Sequence, residues 1–189
     1  MDQTEPETIL IVDDEEVVAE SYELYLEDDY ETRITTTGGA ALTALDPSDR
    51  EVDLVLLDRR MPGMSGDVVA EHIADYELDY QVIMVSAIDP DVDVTELPCD
   101  GYLSKPASED DVIEAVEKAL AVEQYQDLIK EYNAIAEKQS ILSDEFRAKE
   151  VPAELEDLRT RKRELEAEIE SLVEFLSSTN IGNAFDGRN

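Results

Sequence analysis

Apolar residues recur along this chain in two different rhythms. The N-terminal part carries short uncharged runs, Ile9-Leu10-Ile11-Val12, Val55-Leu56-Leu57 and Val82-Ile83-Met84-Val85. Runs of this length, rich in β-branched residues, predict strands buried on both faces. Thr32 to Thr36 alternates and predicts a weaker strand, and Gly101-Tyr102-Leu103 predicts a fifth. Between them lie helical spacings: Val17 to about Glu27, Ala40 to Leu45 after Gly38-Gly39, and the stretch holding Val68, Val69, Ile73 and Ala74. A short helix is expected from Asp89-Pro90-Asp91 to about Leu97. Five strands alternating with helices predict an α/β fold with a five-stranded, doubly wound parallel sheet.

The rhythm changes after Ser108, which with Glu109, Asp110 and Asp111 makes a helix start. No Gly or Pro follows until after Glu150. Tyr125, Leu128, Tyr132, Ile135, Gln139, Leu142 and Phe146 repeat at intervals of 3 and 4, a heptad seam. Val151-Pro152 interrupts it, because the residue before proline is pushed out of helical geometry. A second seam, out of phase with the first, runs Leu155, Leu158, Lys162, Leu165, Ile169, Leu172, Leu176. The short link predicts that the last helix folds back as a hairpin or coiled coil. The expected domains are residues 1–120 and a helical segment, 121–189, with a loose Gly- and Asn-rich tail.

Charge changes the picture of the surroundings. The net charge is −34 over 189 residues. Residues 1–120 hold 33 acidic and six basic residues, so the acid covers the folded part. At low salt such a surface repels itself. At molar salt the Debye length shrinks to ~3 Å and the repulsion largely vanishes. The composition is that of a protein from a halophile's cytoplasm. It argues against broad nucleic-acid binding at low salt. No apolar run approaches the ~20 residues of a membrane helix. The acidic start, Met1 to Glu7, does not read as a signal peptide, and Cys99, the single cysteine, forbids an intrachain disulfide. The expected compartment is the cytoplasm.

The chemistry-bearing residues stand at strand ends. Asp13 and Asp14 follow the first run, Asp58 the third strand, Ser86 the fourth and Lys105 the fifth. A parallel sheet gathers such ends around one crevice. Clustered carboxylates repel one another unless a cation sits among them, and an all-oxygen donor set suits Mg2+. A carboxylate can attack phosphorus, a lysine can meet a phosphoryl oxygen, and a serine hydroxyl can donate to another. Together these parts make a phosphoryl-accepting site.

Four motifs now coincide: Val12-Asp13-Asp14; Leu57-Asp58 with Met61-Pro62-Gly63 and Gly66; Val85-Ser86-Ala87; and Tyr102-Leu103-Ser104-Lys105-Pro106. In this order and spacing, residues 8 to about 120 resemble the receiver domain of two-component response regulators, a flavodoxin-like fold. The resemblance implies that Asp58 is phosphorylated by a sensor histidine kinase. It also implies Mg2+ on Asp13, Asp14, Asp58 and the Arg60 backbone carbonyl. Ser86 and Lys105 would bind the phosphoryl group, Tyr102 would be the aromatic that moves inward with Ser86, and the Lys105–Pro106 peptide would be cis. Residues 121–189 are similar to the HalX domain of halophilic archaea, in helical architecture and in the close Asn183-Ala184-Phe185-Asp186. Members of that family are often named transcriptional regulators.

Other functions are weighed against this one. An aspartyl-phosphate hydrolase wants a second aspartate two residues after the nucleophile, where Arg60 stands. A receiver-like scaffold that never turns over phosphate would not need the intact acid set. No helix-turn-helix or winged pattern is present, so DNA binding is not evident; Arg159, Arg161, Lys162 and Arg163 read mainly as a coiled-coil face. The seams between 121 and 177 can pair within one chain or in a homodimer. His72 and Cys99 read as surface and inert positions. Arg59 and Arg60 read either as solvated charges offsetting nearby acids, or as residues tuning access to Asp58 and kinase recognition. Ile88 is placed to shield a phosphoryl group from water.

Overall fold

The computed structural model describes residues 6–45, 52–75, 80–87, 97–145 and 153–178. Two compact units divide between Leu120 and Ala121. The helix expected at 89–97, along with Ile88 and Phe146, lies outside the described residues or at their edge.

The first unit is built on five strands: β1 (Thr8–Val12), β2 (Glu31–Thr35), β3 (Leu54–Asp58), β4 (Gln81–Ser86) and β5 (Gly101–Ser104). Helix α1 (Glu16–Leu26) follows β1, α2 (Gly38–Ala44) follows β2, and α3 (Gly66–Asp75) follows β3. The strands are all parallel, in the order β2-β1-β3-β4-β5. Every residue of β1, β3 and β4 is buried, as their uncharged runs predict. β2 is an edge strand with exposed Glu31 and Arg33, which accounts for its weaker pattern.

Alternate residues of each strand serve opposite faces. Leu10, Val12, Val55, Leu57, Val82 and Met84 pack on one side with Ala41 and Leu45 and with Val69, Ala70 and Ile73 of α3. Ile9, Ile11, Leu54, Leu56, Ile83, Val85 and Leu103 pack on the other with Ala19, Tyr22 and Leu26 of α1. Val112, Val116 and Ala119, from the start of the long helix α4 (Glu109–Glu145), complete that second core. α4 starts on a reciprocal cap. Ser108 N–H and Oγ donate to Asp111 Oδ2 at 2.9 and 2.6 Å, and Asp111 N–H donates to Ser108 Oγ at 3.3 Å. α2 begins two residues earlier than its apolar pattern suggests, because Thr37 Oγ1 accepts from Ala40 N–H and makes the glycine pair helical.

In the second unit, the 121–145 part of α4 and α5 (Ala153–Ser178) form a helical hairpin. Leu128, Ile135 and Leu165 are buried, with Tyr132, Leu158, Ile169 and Leu172 packed against them. These are residues of the two predicted seams. Polar side chains tie the helices together at the rim. Arg161 Nε and Nη2 donate to Glu131 at 2.9 and 3.0 Å, and Tyr132 Oη donates to Glu166 at 3.1 Å. Lys162, at a seam position, places its ammonium 4.8 Å from the centre of the Tyr132 ring. Among the described residues no helix is long and apolar enough to cross a membrane.

Candidate functional site

The sheet order changes direction between β1 and β3, and the crevice at their C-terminal ends is where such sheets bind ligands. Asp13 leaves β1 and Asp58 ends β3 at this point. Both are nearly closed off from solvent, Asp13 at 2% exposure and Asp58 at 6%. Backbone amides fix both carboxylates: Glu15 N–H donates to Asp13 Oδ1 at 3.0 Å, and Arg60 N–H donates to Asp58 Oδ2 at 2.9 Å. Asp14, one residue on, is exposed at the mouth. Oxygens of Asp13, Asp14 and Asp58 lie within 4.8 Å of one another.

Lys105 reaches this acid group from β5. Its Nζ donates to Asp13 Oδ2 at 2.7 Å and to Asp58 Oδ1 at 2.6 Å. Its backbone N–H donates to Ser86 O at 2.7 Å, so the ends of β4 and β5 are joined. The Lys105–Pro106 peptide is cis. Burial works against the charged lysine, but the hydrogen bonds and charges of Asp13 and Asp58 outweigh it and hold the ammonium above its ordinary value. Ser86 is buried at the end of β4, and Tyr102 is half-buried on β5. The structure therefore brings Asp13, Asp14, Asp58 and Lys105 into one pocket, with Ser86 at the adjoining strand end.

The turn after Asp58 shapes the pocket. Gly63 takes φ +80°, a conformation that favours glycine. Gly66 is the tighter constraint. A Cβ there would stand 2.3 Å from Asp58 O and 3.0 Å from Arg59 Cα. Gly66 N–H donates to Arg59 O, and Arg59 N–H to Val85 O, both at 2.9 Å. The phospho-acceptor candidate is thus clamped between β4 and the start of α3.

Arg59 and Arg60 part company. Arg60 is exposed, but the Arg59 side chain is only 16% exposed and its Nε donates to both Asp67 oxygens, at 3.0 and 3.3 Å. Arg59 does offset an acid, as one of its two readings held, but from a half-enclosed place and not as a solvated charge. Sequence reasoning missed Asp67 altogether, since an ion pair across an eight-residue turn has no periodic signature. His72 is half-buried on α3.

Three carboxylates and one ammonium leave the pocket with excess negative charge. The donor set is all oxygen, and that is the set a hard divalent cation takes. The residues present fit Mg2+.

A doubly wound sheet with an acid pocket and a lysine at its switch point defines an α/β domain whose carboxylates suit a hard divalent cation. The chain belongs to the response regulator receiver family, whose domain matches residues 9–117, and residues 121–185 match the HalX domain. Receiver domains of this family are phospho-acceptors that bind Mg2+ at the acidic pocket. A Haloferax volcanii protein bearing the provisional name of a transcriptional regulator is 38% identical over 168 residues, covering 88% of this chain and 28% of its own length. The sensory transduction protein RegX3 of Mycobacterium tuberculosis is 36% identical over 117 residues, 60% of this chain and 50% of that protein. Among solved structures, a CheY-like receiver domain from Methanospirillum hungatei superposes with a TM-score of 0.58 at 25% identity, covering 64% of this chain and 98% of that one. The chain thus spans half or less of the length of these curated relatives.

Proposed function

We propose that residues 1–120 form a receiver that accepts a phosphoryl group on Asp58 from a sensor histidine kinase in the cytoplasm, and that residues 121–189 form its helical output. The observation that carries this reading is the Asp58 carboxylate at the β3 tip, with Arg60 N–H on one oxygen and Lys105 on the other. Mg2+, held by Asp13, Asp14, Asp58 and the Arg60 carbonyl, would neutralise charge on the phosphoryl oxygens. An Asp58 oxygen attacks phosphorus, the bond from phosphorus to the donor's nitrogen breaks, and the imidazole leaves. Lys105 exchanges its Asp58 partner for a phosphoryl oxygen, and the Ser86 hydroxyl donates to another. The chain catalyses its own phosphorylation and dephosphorylation and has no other turnover in this scheme.

Phosphorylation adds charge and acceptor oxygens that draw Ser86 and Lys105 inward, and Tyr102 follows. Lys105 and Ser104 lie at the end of β5, a few residues before α4. That helix supplies Val112 and Val116 to the sheet core and Leu128 and Ile135 to the hairpin core. It is the physical route by which the change reaches the output, which acts in transcription control or through helix pairing with a partner copy.

The test is a phosphate-affinity gel of the full chain after acetyl phosphate and Mg2+ in molar KCl. A retarded band in wild type and in Asp75→Asn, absent in Asp58→Asn, is expected. No retarded band in wild type rejects the reading.

A further inference from the structure

One flank of α5 carries four charges at heptad spacing, Arg159, Arg163, Glu166 and Glu170, all exposed. Their order is two cations, then two anions. Within a single helix that order is unfavourable, because Arg159 and Arg163 lie one turn apart, as do Glu166 and Glu170. The hairpin does not compensate. Among the described residues neither arginine forms an ion pair. Arg163 folds back on its own helix instead, Nε donating to Arg159 O at 3.2 Å and Nη2 to Thr160 Oγ1 at 3.3 Å. Glu166 meets Tyr132 and Lys162 through Oε1 only. Arg161, on the other flank, makes the contrast: Glu131, Glu164 and Glu168 satisfy it inside the hairpin.

We propose that this stripe is a self-complementary surface on which α5 pairs, antiparallel, with α5 of a second copy of this chain. A two-fold axis passing by the Glu164–Leu165 peptide sets Arg159 against the partner's Glu170 and Arg163 against the partner's Glu166, and repeats both contacts the other way round. Cations that repel along one helix then each face an anion. The stripe also fixes direction and register, as charges beside a coiled-coil seam do. A slip of one heptad brings Arg159 against the partner's Arg163, or Glu166 against the partner's Glu170. In molar salt the repulsion between two strongly acidic copies is screened, while arginine–carboxylate forks in direct contact lose less. A phosphate-bearing partner fits poorly, because Glu166 and Glu170 share the stripe and the chain carries −34. The pairing belongs to the hairpin and holds whether or not Asp58 accepts a phosphoryl group.

Sedimentation equilibrium of the full chain in molar KCl tests this with Arg159→Glu, Glu170→Arg and the double variant. Wild type is expected to form a dimer that dissociates on dilution. Each single change sets two like-charged contacts across the axis and should raise the dimer dissociation constant about tenfold. The double variant exchanges the charges, restores both contacts and should return the constant to the wild-type range. Each single change also turns a like-charged neighbour pair within α5 into an opposite one. Circular dichroism melts of the dilute, monomeric chain should therefore not fall below wild type, which separates a lost contact from a damaged hairpin. A wild type that stays monomeric, a dimer that neither single change weakens, or a double variant as weak as the singles overturns the proposal. Retardation of a DNA duplex by a monomeric wild type, lost in Arg159→Glu, would overturn it too and give the stripe to phosphates.

Discussion

Replacing Lys105 with methionine removes a charge and keeps most of the side chain's apolar stem. In the resting chain the ammonium lies 2.7 Å from Asp13 and 2.6 Å from Asp58, whose side chains are 2% and 7% exposed. Without it, two enclosed carboxylates face each other across the pocket. Breaking a buried ion pair by removing one partner costs about 3–5 kcal/mol. Lys105 is itself 17% exposed, which favours the low end, about 3 kcal/mol. For a unit of this size each kcal/mol lowers the melting temperature by about 4 °C, so the variant should melt roughly 12 °C below wild type in EDTA. Molar KCl does not remove the effect, because the pair is shielded from the ions that screen exposed charges. Added Mg2+ should then stabilise the variant more than wild type, since no ammonium competes for the carboxylates and binding to the folded state alone adds stability. Calorimetry of both proteins with EDTA and with Mg2+ makes the comparison. Equal melting temperatures in EDTA, or an equal gain from Mg2+ in both, would refute the reasoning.

Gly66→Ala forces a Cβ against Asp58 O and Arg59 Cα, backbone atoms that cannot turn aside, so we expect a loss of about 1–3 kcal/mol in urea unfolding and slower acetyl-phosphate labelling. Gly39→Ala, in a helix with nothing within 4 Å of the new methyl, should instead stabilise by about 0.5–1 kcal/mol without changing labelling. Leu165→Ala opens the most enclosed point of the hairpin core and should cost that unit about 2–5 kcal/mol in circular dichroism melts, while Asp58 labelling persists. Burial raises both Tyr22 and Tyr30 above the ordinary phenol value. A group that keeps its proton longer when folded adds stability below its unfolded value of about 10 and loses it as pH climbs through the folded value. Stability should therefore fall above pH ~10, less steeply in Tyr22→Phe and Tyr30→Phe; identical alkaline limbs in urea titrations would contradict this.

Three strands were legible because nothing polar interrupts a strand covered on both faces: Ile9–Val12, Val55–Leu57 and Val82–Val85 name themselves. β2 was harder, since an edge strand tolerates Arg33 and Glu31 outside. The N-terminus of α2 was obscured by two glycines whose helical state depends on a threonine cap. Strand order is not written in periodicity, which reports the face a residue serves and not its neighbour. The pocket was legible because position at a strand end is a sequence property, and parallel strands bring Asp13, Asp58 and Lys105 together. The Arg59–Asp67 pair and the near-contact at Gly66 were not, because both depend on the path of one turn and one side chain.

Among the described residues, the buried cluster of the hairpin is Leu128, Ile135 and Leu165, of which only Leu165 is closed off completely, while each face of the sheet is backed by a dozen or more buried side chains. Opening free energies follow such enclosure, so the two units should exchange their amide hydrogens on separate timescales. Amides of β1, β3 and β4 should be the last to pick up deuterium, and those flanking Leu165 should do so early. The helical hairpin is then the unit whose structure is cheapest to rearrange, and its amides report that rearrangement independently of the sheet.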